Sequence, residues 1–397
     1  MSEESPPNAI IIMVDQMKAT ASHLYSRHGI HTPGLERLAK LGVRYENATT
    51  PHPLCVPARV AMWTAQNPHR TGSTVNKTPM PEHMPHAAKW WKEAGYELAL
   101  LGKNHCFAGQ SDYDLFDVWC EIEHYGFKDN LAHYGFKEGA PVAESPKGMA
   151  WVEDEEKIAS AHTVRNNMPP PEGGVSSYAV TEFEDRHYST GLLSNQADAY
   201  VRQKHDKSYT LWLSLPDPHV PYETPKHFFT EARSQNIEMP PPGPIPGDEM
   251  PMRNRILSQI MRWPDEHLDD LKNVVTAYHA NILHIDKLIN RLIDTLEETN
   301  QLDKTIIVFC SDHGDFSGEH QMAAKGGVLY DCLVRIPMIV VAPNQIPQTH
   351  VVSSPVSLLD IVPTLFQLQG LSLPDGLDGQ VMQPCTGATD QEYGFAL

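Results

Sequence analysis

The chain has 397 residues, 41% hydrophobic and 20% charged, an ordinary globular composition with ample material for a large core. Its 50 acidic against 31 basic residues give a net charge of −19 without any Lys/Arg run, which excludes a dedicated nucleic-acid or anionic-membrane surface. No apolar run approaches the ~20 residues of a spanning helix, and MSEESPPN has no basic start leading to an apolar stretch, so neither a membrane segment nor a secretory leader is expected.

Short apolar runs alternate with helical patterns, which predicts an α/β fold in one large domain with a small appendage. NAIIIMV (8–14) reads as a buried strand, followed by a helix over PGLERLAKLG (33–42) and another beginning near Pro57. Strands are expected at Tyr96–Leu101 and Tyr209–Leu215. Between 267 and 299, Leu271, Val274, Val275, Tyr278, Ile282, Ile285, Ile289, Leu292 and Leu296 recur in steps of three and four. That spacing predicts one long amphipathic helix. Strands follow at Thr305–Cys310 and Met338–Ala342.

Residues 107–195 and 230–266 lack clear periodicity. HYGFKDN (124–130) and HYGFKEG (133–139) read as a local duplication in a loop, and EMPPPGPIPGDEMP (238–251) as an ordered surface excursion or lid. The last residues, EYGFAL, read as the opening of a strand. Six cysteines (Cys55, Cys106, Cys120, Cys310, Cys332, Cys385) without CxxC pairing suggest a reducing compartment, so a cytoplasmic protein is expected.

Five places carry chemistry-bearing side chains after a strand or at a helix start, where sites gather in open α/β sheets. Asp15-Gln16 follows the first strand and suits a hard divalent cation, or an ordinary capping turn. In CVPAR, Pro57 is preorganised for a helical first turn whose amides favour anions. Arg59 lies one turn further in, and a buried structural cysteine is the plain alternative for Cys55. Lys103 and His105 in GYELALLGKNHC share one face of an extended segment by period-two alternation. His219 stands between prolines in PDPHVPYETP, with its backbone stiffened; a solvated turn histidine is the alternative. In CSDHGDFSGEH, Asp312-His313 would complete an oxygen-rich cation site with one nitrogen ligand, with Lys325 further on.

In this order, the five motifs resemble the type I sulfatase family of the alkaline phosphatase superfamily, over about Asn8 to Gly379. CVPAR is similar to that family's C-x-P-[SA]-R motif, whose cysteine a dedicated maturation enzyme oxidises to formylglycine. NPHRTG (67–72) and KGGVLYDCLVRIPMIV (325–340) are also similar to family sequence. The resemblance implies a large, mainly parallel mixed sheet sandwiched by helices. It implies that Asp15, Gln16, Asp312 and His313 bind one divalent cation, with the modified Cys55 as its nucleophilic ligand. Arg59 would stabilise the formylglycine hydrate, Lys103 and Lys325 would contact sulfate oxygens, His105 would assist hemiacetal breakdown, and His219 would sit near the leaving oxygen.

The chemistry explains the aldehyde. Its hydrate carries two hydroxyls on one carbon: one attacks sulfur and displaces the alcohol, and the second, losing its proton, expels sulfate by C–O cleavage.

Several residues depart from the common pattern. Gln16 stands where many sulfatases carry a second Asp, and His313 where they carry Asn; this set is similar to choline sulfatases and phosphonate monoester hydrolases. Lys103 and His105 are the sulfatase-like choice. WTAQ (63–66) lacks the usual Thr-Gly. The small C-terminal subdomain is mostly missing from the pattern, so the expectation is a catalytic domain over 1–379 and the start of a truncated subdomain over 380–397. The leading reading is a formylglycine-dependent sulfate-ester hydrolase of small esters, with Ca²⁺ or Mn²⁺ as the cation. The alternatives are a phosphonate monoester or phosphodiester hydrolase using the same nucleophile, and a non-catalytic metal- or anion-binding protein with unmodified Cys55.

Overall fold

A computed structural model describes residues 5–122, 147–149, 155–172, 174, 176–244 and 247–385. The repeated HYGFK segments and the terminal EYGFAL lie outside the described residues, as do positions 245 and 246 of the proline-rich stretch.

The strands are β1 (Asn8–Val14), β2 (Val43–Thr49), β3 (Glu97–Gly102), β4 (Val118–Glu121), β5 (Tyr178–Thr181), β6 (Tyr209–Leu215), β7 (Tyr222–Pro225), β8 (Thr305–Ser311), β9 (Arg335–Val341), β10 (His350–Val352) and β11 (Val356–Ser357). Among the described residues, nine form one sheet in the order β10-β2-β9-β8-β1-β6-β3-β4, with β11 also on β2. Only β9 runs against its neighbours, β2 and β8; the other pairings are parallel. The sheet is therefore mainly parallel and mixed, as expected. β5 and β7 pair separately.

β1 shows why its run of apolar residues does not alternate with polar ones. Ile10, Ile12 and Val14 enter one core cluster, while Ala9, Ile11 and Met13 enter the other, because successive side chains point to opposite faces. A parallel strand covered by helices on both sides must be apolar at every position. The first face is covered by helices Pro33–Leu41, Ser189–Arg202, Lys226–Ser234 and Leu268–Glu298, the second by Cys55–Thr64, Ala87–Glu93 and Ile361–Leu368. Truncating a core residue such as Ile11 to Ala would cost about 2–5 kcal/mol.

All nine apolar residues of the anticipated long helix are buried, and Asp269 and Asp270 in its first turn oppose the positive end of its dipole. Asp286 from this helix accepts hydrogen bonds from the Gly34 and Leu35 N–H groups, at 2.8 and 2.7 Å, and so caps the helix that Pro33 begins.

Other boundaries shift. β3 and β8 lie within one residue of expectation, whereas β9 starts three residues earlier, at Arg335. The stretches without periodicity contain β4, β5 and the helices Glu155–Asn166 and Met252–Met261. Residues 238–244 carry neither helix nor strand. Among the described residues, no helix is long and apolar enough to cross a membrane.

Candidate active site

β8, β1, β6 and β3 are adjacent and parallel, so their carboxyl ends form a single edge. Asp312, Asp15, Asp217 and Lys103 leave that edge although nearly 300 residues of chain separate the first two. Backbone bonds stitch the exits together: Asp15 N–H to Leu215 O (3.1 Å), Asp312 N–H to Val14 O (3.2 Å) and Lys103 N–H to Ser214 O (2.7 Å).

Cys55 is the first residue of the helix facing this edge. The helix starts two residues before Pro57, not at it, because a proline in the first turn has no N–H to lose there. All ten helix residues are buried, including Arg59. The Cys55 Sγ lies 3.7 Å from Asp15 Oδ1 and 3.3 Å from His313 Nε2. The His313 Nε2 is 3.6 Å from both Asp15 Oδ1 and Asp312 Oδ1, while its Nδ1 lies 3.0 Å from the Gly314 carbonyl oxygen. Asp15, Cys55, Asp312 and His313 thus present ligand atoms within 4.8 Å of one another, all buried.

Cations frame this cluster. Arg59 donates from Nε to Asp312 Oδ2 (2.9 Å), from Nη2 to Asp15 Oδ2 (3.4 Å), and from Nη1 to Ser214 Oγ (2.6 Å) and Lys103 O (3.1 Å). Its fixed fork serves four acceptors, which a lysine's single ammonium does not match. The Lys103 ammonium pairs with Asp15 Oδ2, and Lys325 lies 4.0 Å from Asp15 Oδ1. Arg59, Lys103 and Lys325 thus surround the two carboxylates with positive charge, which favours an anionic group at residue 55.

The titration shifts follow. Burial opposes ionisation of Cys55, but Lys103, Lys325 and His313, with a hydrogen bond from His105, hold its thiol well below the usual range. Burial and Cys55 push Asp15 up, yet Lys103, His219 and Lys325 keep it well below an ordinary carboxylate. Burial, then Lys325, lowers His219 to about 4, so its imidazole is neutral at neutral pH.

The structure brings all five anticipated places together, with one correction. Lys103 and His105 do not share a face by strand alternation: β3 ends at Gly102, and His105 has a left-handed φ of 53° that turns its ring toward Cys55. Gln16, with a φ of 73°, donates its backbone N–H to Asp312 Oδ1 (3.0 Å), and its Oε1 accepts from Lys325 (2.5 Å). His219 lies near enough to hydrogen-bond Cys55, and Arg165 donates to its carbonyl (3.1 Å) and to Asp217 (2.9 Å).

Sequence reasoning overlooked Asp315, Ser214 and Arg165. Asp315, fully buried, accepts from the Gln16 side-chain amide, from Tyr222 OH (2.7 Å) and from the Ser317 and Ala324 N–H groups (2.6 and 3.1 Å). A second acidic residue in SDHGD was the available signal; Ser214 inside YTLWLSL offered none.

The donors suit a divalent cation: two carboxylates and an imidazole converge, and an amide oxygen lies beside them. Comparisons with known proteins show the family. A family model described as Sulfatase matches residues 7–371. A choline-sulfatase of Rhizobium meliloti is 31% identical over 93% of this chain and 69% of its own length. An arylsulfatase of Clostridium perfringens is 25% identical over 94% of this chain and 77% of its own. Among solved structures, a phosphonate monoester hydrolase from Silicibacter pomeroyi shares the fold at 21% identity, with a TM-score of 0.75 over 98% of this chain and 78% of that one. The α/β architecture is thus that of alkaline phosphatase-like enzymes, and the chain belongs to the sulfatase family of sulfuric ester hydrolases.

Proposed function

We propose that the chain hydrolyses a small sulfate ester at residue 55, after oxidation of Cys55 to formylglycine by a maturation enzyme. The observation that carries this reading is the convergence of Cys55, Asp15, Asp312 and His313 within 4.8 Å beneath three cations. Formylglycine supplies, as its hydrate, a geminal diol: one hydroxyl as nucleophile, the other as the means of releasing sulfate.

Asp15, Asp312 and His313 would hold one divalent cation, with the Gln16 oxygen and residue 55 completing the set. Such a cation lowers the pKa of a bound hydroxyl and offsets charge on the ester. Ca²⁺ fits the oxygen donors, and the imidazole also admits Mn²⁺. Lys103 and Lys325 bind the anionic oxygens, and Arg59 fixes both aspartates and adds positive charge. Preorganised charge of this kind is usually the largest catalytic contribution. His105 takes the proton from the diol's second hydroxyl as sulfate leaves, and His219, neutral at rest, sits beside residue 55 near the leaving oxygen. Six buried free thiols support a reducing, cytoplasmic setting.

The Asp-Gln and Asp-His donor pairs favour a second reading, hydrolysis of phosphonate monoesters or phosphodiesters by the same nucleophile. The two ester classes put similar charge in similar geometry. Turnover of choline sulfate and an aryl sulfate against a phenylphosphonate ester decides. Faster turnover of the sulfates supports the main reading; a preference for the phosphonate reverses the assignment.

A further inference from the structure

Outside the active site, His23, His31 and Glu36 bring three ligand atoms within 4.8 Å of one another. Glu36 lies in the first turn of the helix Pro33–Leu41, and the two histidines lie on the preceding segment, which closes on itself through a bridge between Ser22 and Ile30. Glu36 Oε2 is 3.8 Å from His23 Nε2 and 3.5 Å from His31 Nε2. Tetrahedral ligands about 2.0–2.1 Å from Zn²⁺ stand roughly 3.3 Å apart, so small rotations of three partly exposed side chains reach that spacing.

The surroundings are those of metal ligands. His23 Nδ1 lies 3.3 Å from the Ile30 carbonyl oxygen and 3.3 Å from Thr32 Oγ1, with the Thr32 N–H at 3.2 Å. The Thr32 N–H donates to Nδ1 in the metal-free protein, so an ion on Nε2, on the Glu36 side, shifts the proton to Nδ1, where the Ile30 carbonyl oxygen and Thr32 Oγ1 accept it. Outer partners of this kind orient ligating imidazoles. His31 is fixed through its backbone N–H, which donates to Gln235 Oε1 at 2.8 Å. The Glu36 oxygens divide their duties: Oε1 accepts from Lys40 at 2.7 Å, while Oε2 faces both imidazoles.

We propose that His23, His31 and Glu36 form a second metal site, separate from the catalytic cluster, for a borderline divalent ion such as Zn²⁺. Two imidazoles and one carboxylate are a zinc donor set with room for water in the fourth position, whereas the active-site cluster is oxygen-rich. The ion would staple the loop that follows Asp15-Gln16 to the helix beneath it.

Zn²⁺ titration of the full-length protein by calorimetry, in excess Ca²⁺, tests this against His31→Ala and Glu36→Gln. His31 is 62% exposed, so its removal leaves the fold intact. The expected result is one equivalent fewer in His31→Ala, affinity more than about tenfold weaker in Glu36→Gln, and unchanged sulfatase activity in both. Equal Zn²⁺ stoichiometry and affinity in wild type and both variants would overturn the site.

Discussion

Arg59 Nε lies 2.9 Å from Asp312 Oδ2, and both side chains are completely buried. An unpaired charge there has no water to turn to, so the pair holds only while the fork satisfies both aspartates. Arg59→Lys keeps the charge but loses the four-acceptor geometry. The expected outcome is at least about a 100-fold fall in kcat/KM and a stability loss of about 3–5 kcal/mol. Kinetics and thermal melts check the two together.

Asp315 reaches no other residue of the cation cluster directly, yet it fixes the amide of Gln16. Asp315→Asn replaces an acceptor by a group that can also donate, so the Gln16 amide is free to turn over. Cation affinity should fall about 10–100-fold, with activity regained at high cation concentration. Activity against cation concentration reads this; a loss that no cation concentration repairs would mean Asp315 does more than position Gln16.

Asp15 and Asp312 present their oxygens to one point, and that geometry implies dependence on a divalent ion. Chelation should abolish ester hydrolysis and lower the melting temperature, because an ion bound only by the folded state stabilises it. Re-addition of Ca²⁺ or Mn²⁺ should restore both.

His279 is fully buried in the long helix, its Nδ1 at 2.8 Å from the Val275 carbonyl oxygen. Burial, then Lys18, lowers it from its ordinary 6.5 to about 3. The unfolded ring therefore takes a proton where the folded ring refuses it. The resulting stability is fully present above pH 6.5 and is lost as pH falls toward 3. His279→Gln should flatten the acid limb of unfolding free energy, measured by denaturant melts between about pH 4 and about pH 7, by at most a few kcal/mol.

The sheet's central strands were legible in the sequence because burial on both faces demands unbroken apolar runs, as in NAIIIMV and YTLWLSL. The long helix was legible from its period. β2 (VRYENAT) was not, since a half-polar strand beside antiparallel β9 carries little signal of its own. Cys55, Arg59 and Asp312 could be singled out by motif, but their convergence needed the strand order, which no local pattern encodes. The roles of Ser214 and Asp315 are set by partners 155 and 299 residues away. A left-handed φ at His105, not strand alternation, sets where its ring points, and no local pattern announces such a φ.

The most direct measurement is the mass of the peptide spanning Cys55, from protein co-expressed with a formylglycine-generating enzyme, alongside sulfate-ester turnover of the same sample. An aldehyde in place of the thiol, with turnover proportional to the converted fraction and none in Cys55→Ala, is the predicted result. An intact thiol in a sample that still hydrolyses sulfate esters at full rate would contradict the account.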